Sequence, residues 1–166
     1  AEREEAQLLA GDGVAPNMTG ILNTAGIQTQ ALGADTALDA IYKAITKVRS
    51  VAYFEPDGYV THPDDWTPIR LLKDTGGNYV WGHPAQAGPE TVFGLRTVVT
   101  TAITSGTGLV GAFRLGAQFF LRNGVSVEAT NSNEDDFKKN LVAIRVEERG
   151  ALAVYRPKAF CTVTGI

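Results

Sequence analysis

The chain has 166 residues, of which 44% are apolar and 20% are charged, and its formal net charge is −3. This length predicts one domain, with room for two lobes, and the composition is typical of an ordered globular protein. The negative charge argues against a broad nucleic-acid surface, the single cysteine excludes an internal disulfide, and no apolar run approaches the roughly 20 residues of a membrane-spanning helix.

The first 34 residues predict the end of a helix followed by a loop. Residues 1–10 are good helix formers, and Gly11 follows in a C-cap position. Since this helix begins without an N-cap, the chain is expected to be a fragment of a longer protein. Residues 11–34 are rich in Gly, Asn, Thr and Ala, which predicts a loop with one short strand over 20–24.

Two further helices are predicted in the first half. Residues 36–50 carry Leu, Ile and Val at helical spacing, and Asp35 or Thr36 can serve as the N-cap. A Pro-Asp-Gly turn then precedes a short strand over 59–61. Residues 63–74 predict the next helix, because a proline stands in its first turn and two aspartates follow.

The second half is predicted to be mostly β structure. Residues 91–104 are rich in valine and threonine, which favour strands. Residues 113–129 alternate apolar and polar side chains around Asn123-Gly124, which predicts a hairpin with a type I′ turn. After an acidic loop, the run from 135 to 160 predicts an extended segment longer than one ordinary strand. Such a segment must bend between sheets or pass between two lobes.

The sequence offers no convincing active site. Residues 106–111 match G-x-G-x-x-G, but a dinucleotide site needs a helix directly after the glycines, and the following residues alternate as in a strand. The motif therefore predicts a glycine-rich turn between strands. His62, His83 and Cys161 match no zinc spacing. The acidic pairs are better explained as helix N-terminal charge and as a solvated loop. We therefore predict a structural α+β protein without cofactor or metal, and not an enzyme.

Several segments occur in the order found in one viral protein family. They are, in chain order, EEAQLLAGDG (4–13), NMTGILN (17–23), DGYVTHPDDW (57–66), LLKD (71–74), FGLRTVV (93–99), GAFRLG (111–116), DFKKN (136–140), EER (147–149) and YRP (155–157). Through these segments the chain resembles the major capsid proteins of tailed bacteriophages, which share the Hong Kong 97 phage-type capsid fold.

The resemblance implies an axial domain and part of a peripheral domain of this fold, with a long C-terminal strand. Residues 1–13 would be the end of the spine helix, 14–112 the axial-domain core, 113–150 the peripheral hairpin and long strand, and 151–166 the strand returning to the axial domain. The implied function is a shell subunit of a tailed phage or prophage, present in the virion and in the host bacterial cytoplasm during assembly.

The resemblance also implies partners. These are copies of the chain in pentamers and hexamers, with a scaffold or maturation protease, around DNA that is enclosed without sequence-specific binding; no membrane is involved. Asn140 and Glu147 match the family's isopeptide cross-link positions, whose lysine partner would lie outside this chain. Charged residues expected at subunit contacts are Glu134, Asp135, Asp136, Arg145, Arg149 and Arg156.

Two alternatives remain open from the sequence. An encapsulin-type bacterial nanocompartment shell shares the fold, although the Glu-Glu-Arg and Tyr-Arg-Pro segments favour the phage protein. A small enzyme or ligand-binding module would instead require a deep apolar pocket with converging polar groups.

Overall fold

A computed structural model describes residues 2–81, 88–132 and 135–166. The chain divides into unit 1, Ala1–Gln118 with Val154–Ile166, and unit 2, Phe119–Ala153. The helices are α1 (Glu2–Ala10), α2 (Ala37–Lys47), α3 (Pro63–Arg70), α4 (Phe113–Gly116) and α5 (Asp136–Lys139). The strands are β1 (Gln28–Ala31), β2 (Gly58–Thr61), β3 (Thr91–Val92), β4 (Leu95–Val99), β5 (Thr107–Gly111), β6 (Ala117–Thr130), β7 (Ala143–Val154) and β8 (Phe160–Thr164).

Unit 1 is built on a six-stranded mixed sheet in the order β1-β8-β5-β2-β4-β3. The central strand β5 runs antiparallel to both neighbours, so that Leu109 lies opposite Val60 on one side and Thr162 on the other. Residues 108–111 are buried, because helices and loops cover both faces of a central strand. The turn predicted for the glycine motif is therefore wrong, since residues 107–111 form β5.

Helix α2 covers one face of this sheet and agrees with its prediction. Thr36 is the N-cap, and its side-chain oxygen accepts a hydrogen bond from the Asp39 amide at 3.2 Å. The apolar side chains recur at helical spacing and form one buried stripe. That stripe comprises Ala40, Ile41, Ala44, Ile45 and Val48. A π-helical turn follows, and Tyr53 ends the segment in the left-handed region at φ 58°.

Three predicted elements have different bounds in the structure. Helix α3 ends at Arg70 rather than at residue 74, because residues 71–80 turn back on themselves. The β region predicted over 91–104 ends at Val99, and the threonines at 100, 101 and 104 lie outside any strand. The segment predicted to be extended over 135–160 begins with helix α5, and β7 is the strand that lies within it. A short 3-10 helix over Pro157–Ala159 then separates β7 from β8.

The strand predicted over residues 20–24 is wrong. Ile21–Asn23 is a 3-10 turn, and the Asn23 amide group donates hydrogen bonds to the carbonyls of Ala10 and Gly11 at 3.0 Å each. This segment therefore satisfies the free carbonyls at the end of α1. The edge strand β1 was not predicted, because its sequence, Gln-Thr-Gln-Ala, has no apolar alternation and depends on parallel pairing with β8.

Asp57 holds the turn of helix between β5 and β6. Its two carboxylate oxygens accept hydrogen bonds from the amides of Phe113 and Arg114 at 2.8 and 3.0 Å. The sequence reasoning treated 113–116 as strand, which is wrong, because the pattern cannot reveal a capping carboxylate 56 residues earlier.

We expect Asp57→Ala to lower the free energy of unfolding by about 1 kcal/mol, because two amides at a helix N-terminus lose their acceptors. Urea denaturation of the variant measures this change. Asp57→Asn retains one acceptor oxygen and is expected to lose less. Equal losses in the two variants would contradict a capping role.

Unit 2 is a two-stranded ribbon of β6 and β7. The predicted hairpin turn at Asn123-Gly124 is wrong, since β6 runs straight through both residues to Thr130. Strand β6 ends only at Thr130, and α5 lies between it and β7. An Asn-Gly pair favours a turn only when no longer strand pairing competes, and here β7 supplies a partner along the whole ribbon.

Candidate functional site

Among the described residues, no group of three His, Cys, Asp or Glu side chains could hold a metal ion. His62 is the N-cap of α3, where its Nδ1 atom accepts a hydrogen bond from the Asp64 amide at 3.2 Å. His83 lies outside the described residues. No helix in the described part of the chain is long and apolar enough to cross a bilayer.

The glycine motif is not arranged to bind a phosphate. Its residues lie in β5, and the helical segment that follows has only four residues. The amides of Phe113 and Arg114, which would face an anion, already donate to Asp57. The motif therefore serves close packing: a Cβ at Gly108 would lie 2.8 Å from the Tyr59 ring.

Cys161 is buried in the sheet of unit 1. Burial raises the pKa of its thiol to about 11, although the positive charge of Lys47 acts in the opposite direction. The nucleophilic thiolate is therefore rare near neutral pH, and the geometry argues against a reactive cysteine.

We expect Cys161 in the folded chain to react with a thiol reagent at pH 8 roughly 1,000-fold more slowly than in the urea-unfolded chain, because few molecules are unfolded at any moment. The unfolded thiol ionises near pH 8.5. Since the folded pKa is higher, the unfolded state loses its proton first, and stability should fall as the pH rises from about 8.5 towards 11. Comparison with Cys161→Ala isolates this contribution, and equal pH slopes in both proteins would contradict it.

One face of the ribbon in unit 2 carries an ion-pair network. Arg145 lies 2.6 Å from Glu128 on the other strand and 3.1 Å from Glu147 on its own strand. All three side chains are exposed, so these pairs contribute little to the stability of one subunit. Because side chains alternate along a strand, even positions of β6 and odd positions of β7 share this polar face.

The opposite face of the ribbon is mainly apolar, although Asn123 and Glu148 also belong to it. It presents five aliphatic side chains that are 54–69% exposed, namely Leu121, Val125, Val127, Ile144 and Val146. An isolated two-stranded ribbon is marginally stable in water, and exposed apolar patches of this kind mark contacts with other molecules. This apolar ribbon face therefore calls for a covering surface.

The two predicted cross-link residues lie in different local structures. Asn140 follows α5 and has left-handed backbone at φ 53°, whereas Glu147 lies within β7 and pairs with Arg145. The extended segment predicted over 135–160 therefore holds for Glu147 but not for Asn140. A left-handed asparagine in a tight turn is common, because its side chain tolerates this backbone.

The charged residues predicted at subunit contacts do not form one cluster. Arg145 and Arg149 are exposed on β7, and Asp135 pairs with Lys138 at 3.2 Å. Asp136 begins α5, and Glu134 lies outside the described residues. Arg156 belongs to unit 1, where its guanidinium lies 4.9 Å from the centre of the Phe54 ring.

Sequence reasoning missed three surfaces. The first is the apolar ribbon face, whose alternating valines and isoleucines were visible but could equally have faced a core. The other two are grooves in unit 1, with volumes of about 420 and 400 Å³. They are formed by exposed aromatic residues at distant positions in the chain, which no local pattern brings together.

Comparisons with known proteins agree with one another. The model of a family described as the phage capsid family matches residues 1–165. The major capsid protein of Enterobacteria phage HK97 is 40% identical over 161 residues, which is 96% of this chain and 42% of that protein. The chain thus spans less than half the length of this relative.

Solved structures show the same fold. The capsid of an empty GTA particle matches with a TM-score of 0.77 and 19% identity, over 98% of this chain and 61% of that one. A structure from Gordonia phage Cozz matches with a TM-score of 0.75 and 17% identity, over 98% of this chain and 58% of that one. A virus-like particle from Pyrococcus furiosus matches with a TM-score of 0.68 and 19% identity, over 98% of this chain and 62% of that one.

Proposed function

We propose, on the premise that this chain belongs to the phage capsid family, that it is a shell-forming part of a tailed-phage major capsid protein. Its fold is the α+β Hong Kong 97 phage-type capsid fold. The observation that carries the proposal is 40% identity over 96% of the chain to a major capsid protein. The encapsulin-type alternative shares only the fold, since the archaeal particle is 19% identical.

We assign the part of unit 1 that follows α1 to the axial domain and unit 2 to the peripheral domain. The separate compactness of the two units supports this division, and α1 would be the end of the spine helix. The apolar ribbon face supports a role in assembly, because its five exposed aliphatic side chains need a partner surface. In a closed shell, symmetry repeats each such contact many times.

The partners in this proposal are copies of the same protein in pentamers and hexamers. A scaffold or maturation protease would act during assembly in the host bacterial cytoplasm, and the finished virion would enclose DNA without sequence-specific contacts. The net charge of −3 suits a shell that does not bind DNA tightly. The role is structural rather than enzymatic, and no membrane takes part.

Asn140 and Glu147 stay candidates for an isopeptide cross-link. In that reaction a lysine amine of another subunit would displace ammonia from the Asn140 carboxamide, with Glu147 as the base. Glu147 would first have to exchange its partner Arg145 for the incoming lysine. Denaturing gels of assembled shells test this, because cross-linked shells give ladders that disappear in Asn140→Ala.

Expression of the full-length gene product, alone and with its protease and scaffold, tests the proposed function. Negative-stain microscopy and sizing chromatography should show closed icosahedral shells. Arg149→Glu is expected to reduce shell yield at least about tenfold if the residue contributes 1.4 kcal/mol or more to each contact, whereas Arg149→Lys keeps the charge and should assemble. A stable monomer under every condition would overturn the proposal.

A further inference from the structure

Two grooves of unit 1 have opposite net charge. One, the basic groove, is lined by Val51, Tyr53, Phe54, Arg156 and Lys158 and has a volume of about 420 Å³. The other, the acidic corner, is formed by Asp35, Asp39, Tyr42, Lys43 and Phe93. We propose that the acidic corner of one subunit docks into the basic groove of the next copy. This inference rests on the proposed function, since it names one contact inside the shell.

The basic groove is apolar at its centre and positive at its rim. Tyr53 is 87% exposed and Val51 is 44% exposed, which is unusual for two neighbouring large side chains. Arg156 lies 4.9 Å above the Phe54 ring, so its charge is held at the groove. Lys158 is exposed on the same rim. Such a surface suits an aromatic side chain accompanied by a carboxylate.

The acidic corner supplies those groups. Tyr42 and Phe93 pack edge to face with ring centres 5.1 Å apart, and each ring is 48% exposed. Lys43 forms an ion pair with Asp35 at 2.6 Å, which cancels one of the two carboxylates. The exposed Asp39 carboxylate then leaves this corner net negative. Charge is therefore complementary between the two surfaces.

Each surface also contains a large aromatic residue in strained backbone. Tyr53 has φ 58° and Phe93 has φ 50°, in the left-handed region that a bulky side chain rarely occupies. Phe93 stands with Gly94 in the two-residue turn between β3 and β4, where asparagine or glycine is usual. Strain of this kind concentrates at functional positions. Burial of both rings against a neighbour would offset the strain.

The contact joins two unlike surfaces of one chain, so each copy can offer its acidic corner to one neighbour and its basic groove to another. Four of the five acidic-corner residues lie on or just before α2, and the groove residues Val51, Tyr53 and Phe54 follow the end of that helix. A head-to-tail contact of this kind repeats from copy to copy, and it closes into a ring when the rotation between copies allows it. A two-fold contact centred on either surface would instead bring like charges together.

Cysteine pairing tests the contact directly. Phe93→Cys and Lys158→Cys are introduced into separate, differently tagged copies of the full-length protein, and the native Cys161 is buried. Mild oxidation of mixed assemblies should give the mixed 93–158 dimer in excess over either like pair. Like pairs in equal or greater amount, or shells without cross-links, would overturn the inference while leaving the proposed function intact.

A charge exchange tests the same contact without cysteines. Arg156→Glu and Asp39→Arg should each raise the concentration needed for assembly at least tenfold, and the double variant should recover most of the loss. Arg70→Glu, an exposed site outside both surfaces, is the control and should assemble normally. Failure of the double variant to recover would count against the contact. Mixed cross-links between soluble copies that never form shells would support the contact but contradict the proposed shell-forming function.

Discussion

Replacement of Phe160 by alanine is expected to lower the free energy of unfolding of unit 1 by about 3–5 kcal/mol. Phe160 is fully buried at the start of β8, and its ring packs edge to face with Phe113 at 5.4 Å. Gly111 and Gly116 lie directly against the ring, and a Cβ at Gly116 would approach it to 2.8 Å. Glycine at both positions therefore leaves the space that the Phe160 ring occupies.

The loss of stability in Phe160→Ala is expected to be large because the backbone around the ring is rigid. Backbone of two glycines forms part of the wall, so neighbouring side chains cannot collapse into the space that the ring leaves. Native domains have about 5–15 kcal/mol of stability in total, so the loss is a large fraction. Urea unfolding followed by fluorescence of the buried Trp66 measures it.

Phe160→Leu is the matched control, because it keeps most of the apolar volume and is expected to lose clearly less than the alanine variant. A loss below about 1 kcal/mol in Phe160→Ala would show that the site relaxes, and that the ring is not the centre of this packing. Gly111→Ala tests the same wall from the other side, since the new methyl group would overlap the ring.

The sequence predicted the elements whose signal is local. Helix α2 followed from its apolar spacing and its threonine cap, both of which the structure confirms. The order of short segments along the chain predicted the phage capsid family, which 40% identity to a major capsid protein confirms. The first inference needs only residues close together in the sequence, and the second needs only the order of short segments along the chain.

Elements that depend on distant partners could not be predicted in this way. Asn123-Gly124 carries the preferred signature of a tight hairpin turn, yet both residues lie inside β6. The two-residue turn with positive φ at both positions instead occurs at Phe93-Gly94, where phenylalanine is an unfavourable choice. Pairing with β7 overrides the first signal, and packing of Phe93 against Tyr42 accompanies the second.

The surface of the ribbon in unit 2 could also be predicted only in part. The charged positions on β7 were identified from the sequence, and Arg145 does join a cross-strand ion pair. The apolar ribbon face was not identified, because alternating valine and isoleucine look the same whether they face a core or a neighbouring subunit. Only the burial of each residue in the folded chain separates these two cases.

Substitution of Val127 by aspartate is expected to prevent shell assembly while leaving unit 1 folded. Val127 is 65% exposed on the apolar ribbon face, so the carboxylate costs little in a free subunit. In an assembled shell the covered carboxylate would lose its hydration without a hydrogen-bond donor or cation to replace it, which costs several kcal/mol per contact. Every 1.4 kcal/mol changes an association constant about tenfold.

Assembly of the full-length protein, followed by sizing chromatography at several concentrations, measures this effect, and thermal unfolding of the same samples reports on unit 1. Val127→Ile enlarges the side chain but keeps it apolar, and it should assemble close to normally. Ser126→Asp places the same charge on the neighbouring residue of the polar face, beside the ion-pair network. If Ser126→Asp and Val127→Asp reduced assembly equally, general repulsion would explain the loss, and the apolar ribbon face would not be the covered surface.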